Sequence, residues 1–431
     1  MKMTHGQRMY QRAEKLFPIC RSLTGNGVRE TLRIIGEELP ELNMFEVPSG
    51  TQAFDWTVPD EWNIKDGYIE SEDGKRFACF RESNLHIVGY SEPVDKTVPL
   101  EELKKYIFVQ EDQPDVVPYV TSYYKRRFGF CMSKNERDSL SRGTYRMYID
   151  STLEPGSLTY GELIISSTEG QIPEEEIFLS TYICHPSMAN NELSGPSVAV
   201  ELAKWLYTLK KRRYTYRIIF IPETLGSIVY LSRNLSTLKE RVIAGFNISC
   251  VGDDRAYSYV ASRKGNTLAD RIALNVLGYH TDNFLRYSFL QRGSDERQYN
   301  APGVDLPVCA ISRSKYGEYP EYHTSADDLT VISPKGLQGA FDVYRKCILG
   351  LEYNRFYQVT CLCEPQLGKR GLYPTESYKG SANAVRTMMN LIAYADGTMD
   401  LIDISNQIHA PIDELIPIVQ RLVDEKLLKI M

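Results

Sequence analysis

Apolar residues recur at helical spacing at both ends of this chain, and between them strand-like runs alternate with polar turns. Tyr10, Ala13 and Phe17, then Leu32, Ile35 and Leu39, fall three or four apart and predict two helices between residues 3 and 45, broken at Gly25-Asn26-Gly27. From about 50 to 130, short β-rich runs such as Tyr68-Ile69-Glu70 and the stretch 84–90 alternate with Pro, Gly and Asp turns. From about 145, strand and helix take turns: strands are predicted over 161–166, 177–184, 214–221 and 245–251, and helices over 195–209, from 226 and over 267–277. That order predicts an α/β fold, a mostly parallel central sheet sandwiched by helices. After about 365 a helix over 384–395, a short one over 401–408, a longer one over 411–425 and a closing strand over 427–430 follow the order of a winged helix. The resulting division is 1–50 with 146–365 as the α/β domain, 51–145 as an inserted β-rich domain, and 366–431 as the winged helix.

Composition narrows the function classes. With 42% hydrophobic and 25% charged residues the chain is ordinary globular protein, not a disordered one. It contains no run near the ~20 apolar residues of a membrane span, and Met1-Lys2-Met3-Thr4-His5-Gly6 leads into no apolar signal region. The nine cysteines are scattered, with only Cys361-x-Cys363 close together, which fits reduced thiols in a cytoplasmic protein. A net charge of −6 lacks the basic footprint of a nucleic-acid binder. The one dense basic run, Lys210-Lys211-Arg212-Arg213, reads as a solvated helix end. The winged helix is itself acidic: over 381–431 four basic residues face seven acidic ones, a net of −3 that would repel phosphates. It is therefore expected to dock or dimerise, giving a homo-oligomer that binds no nucleic acid and no membrane.

The chemistry-bearing residues cluster beyond predicted strands, where open α/β sheets bind ligands. Cys184-His185-Pro186-Ser187 and Asn190-Asn191-Glu192-Leu193-Ser194-Gly195 follow one strand, Pro222-Glu223-Thr224-Leu225-Gly226-Ser227 another, and Gly252-Asp253-Asp254-Arg255 a third, while Tyr322-His323-Thr324-Ser325-Ala326-Asp327-Asp328 stands apart. Imidazole and carboxylate oxygen suit zinc, which activates water or polarises a carbonyl. Glu223, at a strand-to-helix elbow, has the side chain and place of a general base. Each residue also has a plainer reading. His185 and His323 could be satisfied core histidines, Glu223 and Asn191 helix caps, Asp253-Asp254 a turn, and Cys184 and Cys250 small core residues. The aromatic and basic stretch from Tyr123 through Tyr124 to Phe130 could pack between domains or cover a cleft.

The wording and order of these clusters, with Gly293-Ser294-Asp295-Glu296-Arg297-Gln298-Tyr299 and Tyr322-His323-Thr324-Ser325, resemble the zinc aminopeptidase family that includes leucyl aminopeptidases, glutamate carboxypeptidase and glutaminyl cyclase. More closely they resemble a bacterial branch with an inserted β-rich domain and a C-terminal winged helix, labelled as associated with polysaccharide biosynthesis. The resemblance implies His185 and His323 as metal ligands, Glu223 as catalytic base and Asp295 as the aspartate that helps order the site. It also exposes departures. The bridging aspartate's position is Asn191, the glutamate after the catalytic one is Thr224, and the remaining metal aspartate aligns with Ser249, just before Asp253 and Asp254. The ligand set His185, Asn191 and His323 is neutral unless Glu192, Asp253, Asp254 or Asp327 turns inward to complete it, Asp254 being the residue assigned here. It predicts at most one weakly held zinc, because an amide oxygen does little to offset the metal's desolvation. The expected activity is hydrolysis of a peptide or amide bond in a small substrate. The rival expectation is a catalytically degenerate relative that binds a small ligand or protein partner in the same cleft.

Overall fold

The strand candidates assemble into one eight-stranded sheet. The computed structural model describes residues 3–123, 125–170, 174–372 and 381–431, so Tyr124 of the aromatic stretch lies outside the described residues. In chain order the strands are β1 (Asn43–Pro48), β2 (Ser157–Ile165), β3 (Glu176–Tyr182), β4 (Thr215–Ile221), β5 (Val242–Asn247), β6 (Ser258–Val260), β7 (Leu285–Tyr287) and β8 (Val308–Ser312). Their order across the sheet is β1-β2-β4-β3-β5-β8-β6-β7. The middle four run parallel, and antiparallel pairings join the flanks. The α/β expectation holds, with more antiparallel pairing at the flanks than a purely alternating pattern suggests. Strands β3 and β4 are buried along their whole length, as strands covered by helices on both faces must be. β4 leads almost directly into the helix Leu225–Arg241, whereas a loop and a short turn separate β3 from the helix Ser194–Thr208. A charged network crosses the buried strands. Arg217 of β4 donates to Glu176 of β3 at 2.6 and 2.9 Å and to Glu162 of β2 at 2.8 Å.

The chain divides into two compact units, one of Met1–Gly265 with Leu285–Phe341, the other of Asn266–Phe284 with Asp342–Met431. The β-rich stretch lies in the first. Its strands Arg76–Phe77, Glu61–Ser71, Thr144–Glu154 and Val94–Pro99 form a four-stranded antiparallel sheet in that order, over a core that includes Ile69, Phe130, Met132, Met147 and Ile149. The segment beyond it returns to the α/β layer: Tyr119 N donates to His323 O at 2.9 Å, and Ser325 N to Val117 O at 2.8 Å.

The second unit holds a three-stranded antiparallel sheet, Asp396–Asp400, Phe356–Val359 and Leu428–Ile430. With it are the helices Ser381–Tyr394, Leu401–Gln407 and Ile412–Asp424, in winged-helix order. The last buries Ile412, Leu415, Ile416, Val419 and Leu422 on one face. The helix Leu268–His280 also belongs to this unit. Arg271 donates to Asp400 and Asp403 at 2.7 and 2.6 Å, and Asn275 donates to Ser405 at 2.8 Å. Among the described residues no helix is long and apolar enough to cross a membrane, and all nine cysteines are free.

Candidate active site

His185 sits three residues past β3 and is 4% exposed. Its Nδ1 lies 2.9 Å from Glu192 Oε2, and its Nε2 lies 3.7 Å from Glu223 Oε2. The Glu192 carboxyl at Nδ1 fixes the orientation of the ring and leaves Nε2 on the opposite side, toward Glu223. Burial, reinforced by the Arg21 charge, pushes the imidazole down to about 3, so the ring is neutral. Glu192 is wholly buried and faces the equally buried Arg21, with Nε 3.5 Å from Oε1. Arg21 also donates to His185 O at 3.0 Å and Leu16 O at 2.8 Å. Burial pushes the Glu192 carboxyl up to about 8 against the pull of Arg21.

Asn191 lies on a π-helical turn, Ala189–Leu193, which leads into the helix Ser194–Thr208. Asp327 holds that turn, accepting from the backbone N–H of Asn190 at 2.7 Å and of Asn191 at 2.9 Å and from Tyr319 OH at 3.0 Å. Burial pushes its carboxyl up to about 6. The Asn191 amide is itself engaged. Its Oδ1 accepts from Tyr182 OH at 3.2 Å and from Cys250 Sγ at 3.8 Å, and its Nδ2 faces Met188 Sδ at 3.7 Å. Asp253 is buried and accepts from Ser314 N, Ser314 Oγ and Asn190 Nδ2 at 2.9 to 3.1 Å. Its neighbour Asp254 is exposed and stands 3.8 Å from Lys335. The structure does not bring Asp254 to the histidines.

Glu223 and Thr224 form the elbow between β4 and its helix. Thr224 has φ +63°, a left-handed conformation costly for a β-branched residue. Asp295 holds it there by accepting from Thr224 N at 2.7 Å and Ser227 Oγ at 2.8 Å, and Arg297 donates to Thr224 Oγ1. Burial raises Asp295 to about 7. Burial and the neighbouring Asp295 raise Glu223 to about 8, against the pull of Arg297. Ser249 is buried and its hydroxyl has no partner.

His323 completes the group. It too has a left-handed backbone, with φ +57°. Its ring stacks on Tyr322 at 3.9 Å and lies 5.4 Å from the His185 ring, with Tyr119 about equally close to both, at 5.1 and 5.2 Å. Burial, with His185 nearby, pushes it down to about 3. Its Nε2 is buried without a hydrogen-bond partner. His185, Glu223, Arg297 and His323 line one cavity of about 320 Å³, together with Tyr119, Tyr123 and Trp56.

His185 and His323 are the residues that could hold an ion. Two neutral imidazoles offer nitrogen, one of them otherwise unpartnered. A second ion would need carboxylates where Asn191, Thr224 and Ser249 stand, and Asp253 and Asp327 are consumed by backbone and hydroxyl donors. Cys184, His185 and Glu192 have ligand atoms within 4.8 Å of one another. A cation bound among them would meet the Arg21 guanidinium, so the open side of His185, its Nε2, is the better place. Sequence reasoning did not find Arg21, Tyr119 or Arg297. Arg21 lies in an unremarkable loop and Tyr119 in the insertion, and only Arg297, inside a quoted motif, carried any signal.

The comparisons agree with this fold. A family model described as a domain of unknown function, DUF4910, matches residues 10–354, and a winged helix-turn-helix model matches residues 355–430. A Clostridium acetobutylicum protein, provisionally named as a polysaccharide biosynthesis protein with an aminopeptidase-like domain, is 45% identical over 405 residues, 93% of this chain and 91% of that one. A crystal structure of a provisionally assigned peptidase from the same organism superposes with TM-score 0.92 at 42% identity, over 99% of this chain and 96% of that one. The zinc aminopeptidase BSAP from Bacillus subtilis matches with TM-score 0.58 at 15% identity, over 81% and 95%, a likeness of fold.

Proposed function

The chain belongs to the DUF4910 family, and from that premise and its aminopeptidase-like fold we propose that it is a zinc-dependent hydrolase of a peptide or amide bond in a small substrate. One observation carries the reading. His185 and His323 meet across 5.4 Å beside Glu223, with His185 pinned by Glu192 and the His323 Nε2 buried and unpartnered. A buried imidazole nitrogen without a partner is costly unless something binds it. His185 and His323 would hold the ion. Bound there, zinc would polarise the scissile carbonyl and acidify the attacking water. Glu223 takes the water proton and returns it to the leaving amine. Raised to about 8, its carboxyl suits a group that both accepts and gives a proton near neutrality. Asp295 keeps the elbow in its strained form and so keeps Glu223 aimed at the cavity.

A second reading rests on Asn191, Thr224 and Ser249: a relative that has lost catalysis and binds a ligand or partner in the cleft. Elemental analysis of protein purified without chelator, beside His323→Ala, separates the two. The hydrolase reading expects about one zinc per chain, absent from the variant. No metal in either protein after zinc is added back favours the second. The acidic winged helix and free thiols support two further proposals, association of copies through that module and a cytoplasmic location.

A further inference from the structure

The charge inventory of the cavity says what kind of amide enters it. Its wall carries one carboxylate, Glu223, and one guanidinium, Arg297. The rest of the wall offers imidazole, thiol, phenol, hydroxyl and apolar groups and no further carboxylate or guanidinium. The other carboxylates nearby face elsewhere. Asp327 holds the Asn191 turn, Asp295 the elbow and Asp253 the Ser314 loop, while Glu296 accepts from Asn247, Tyr316 and the Gly293 and Ser294 backbone. A substrate with a free ammonium beside its scissile bond would therefore find no carboxylate except the proton carrier itself.

Arg297 presents the opposite case. Among the described residues its side chain makes one hydrogen bond, to Thr224 Oγ1, and no ion pair. Its Nε is buried with no partner. A guanidinium has five N–H donors in a fixed fork shaped to a carboxylate, and leaving them unmet at a cavity wall is costly. The Thr224 contact also fixes its place, since Thr224 follows Glu223 on the elbow. An anion held by Arg297 sits beside the bond that Glu223 serves.

We infer that Arg297 anchors a carboxylate on the amine side of the scissile amide, so the substrate is an N-acylated amino acid or the acylated C-terminal residue of a peptide, not a free N-terminal one. This rests on the hydrolase reading for the reaction but not for the binding. Cleavage breaks the C–N bond, adds the water's hydroxyl to the acyl carbon and its proton to the nitrogen, and releases an acid and a free amino acid. The apolar wall at Leu23, Trp56 and Leu225 receives the acyl group.

The test compares N-benzoylglycine with N-benzoylglycinamide, which differ only in the carboxylate. Binding is measured by calorimetry on chelator-treated protein, so that no metal can hold the acid, and hydrolysis is measured separately on zinc-loaded protein. The acid should bind about tenfold more tightly than the amide, the scale of a charge-assisted hydrogen bond. Arg297→Gln should abolish the preference, and Arg297→Lys should restore part of it. Equal binding, no binding of the acid, or a preference that survives Arg297→Gln overturns the inference. The wild-type comparison decides it even if a variant fails to fold. A preference for the acid without turnover of either compound removes the hydrolase reading and leaves the anchor. Turnover of both with equal KM does the reverse.

Discussion

Asn191→Asp places a carboxylate on the buried turn that follows His185, and the structure sets its cost. The side chain is 1% exposed, with one hydroxyl donor, Tyr182 OH, and one weak thiol donor, Cys250. Asp327, buried nearby with three donors, is still pushed up to about 6. A carboxyl at position 191, with fewer donors, should rise at least as far from its ordinary ~3.9. The sign follows from linkage. A buried acid with a raised pKa costs nothing below its unfolded value and its full penalty above its folded one. A rise from ~3.9 to ~6 costs about 1.5 kcal/mol at pH 5 and about 3 kcal/mol at pH 8. Zinc should reverse this, because the new charge adds a ligand. At a free concentration of about 100 Kd, binding returns about 2.7 kcal/mol. Calorimetric unfolding of wild type and Asn191→Asp at both pH values, with and without zinc, measures every quantity. A deficit independent of pH, or zinc stabilising both proteins equally, would refute the reasoning.

Other outcomes follow from the same packing. Glu192→Gln should weaken zinc binding about 10- to 100-fold by loosening the His185 ring, as read by zinc titration. Glu176→Gln should lose about 2 kcal/mol in urea unfolding, since Arg217 keeps only Glu162 as a charged partner. Burial alone would raise the Glu38 carboxyl, but Arg12 and Lys204 overcome it and hold it at about 2. Its contribution to stability should therefore be present above about pH 4.5 and fade as the pH falls toward 2, so Glu38→Gln should flatten the acid limb of a melting-temperature profile. Gly195→Ala should destabilise by about 2 kcal/mol or more, because a Cβ there would run into Ile248 O and Thr181 Oγ1; an unchanged melting temperature would contradict the close approach of helix and strand.

Much of the site was legible because its residues follow strand ends in short polar clusters. His185 and Glu223 stood out by side-chain type after a strand, the family resemblance singled them out together with His323, and the structure brings the three around one cavity. Neighbouring residues with the same chemistry could not be told apart. Asp253 is buried against Ser314 while Asp254 points to solvent, a difference set by a turn that spacing does not reveal. The balance of Glu192 by Arg21 joins residues 171 positions apart (192 − 21), and no local pattern signals a pair so distant. The helix Leu268–His280 reads as part of the alternating α/β stretch because its periodicity is ordinary. Its place in the other unit depends on Arg271 and Asn275 finding partners near residue 400.

The pairing of the insertion with the His323 loop also sets a timetable. Val117 and Ser325, which bond across it, are 208 positions apart. At the usual 5–20 residues per second, a nascent chain waits about 10–40 s between exposing one and making the other. Through that interval Tyr119 has no His323 to cover, and the cavity lacks a wall. A chain stopped or clipped before residue 323 thus lacks this corner altogether, since the cavity is completed only once nearly the whole α/β layer has been translated.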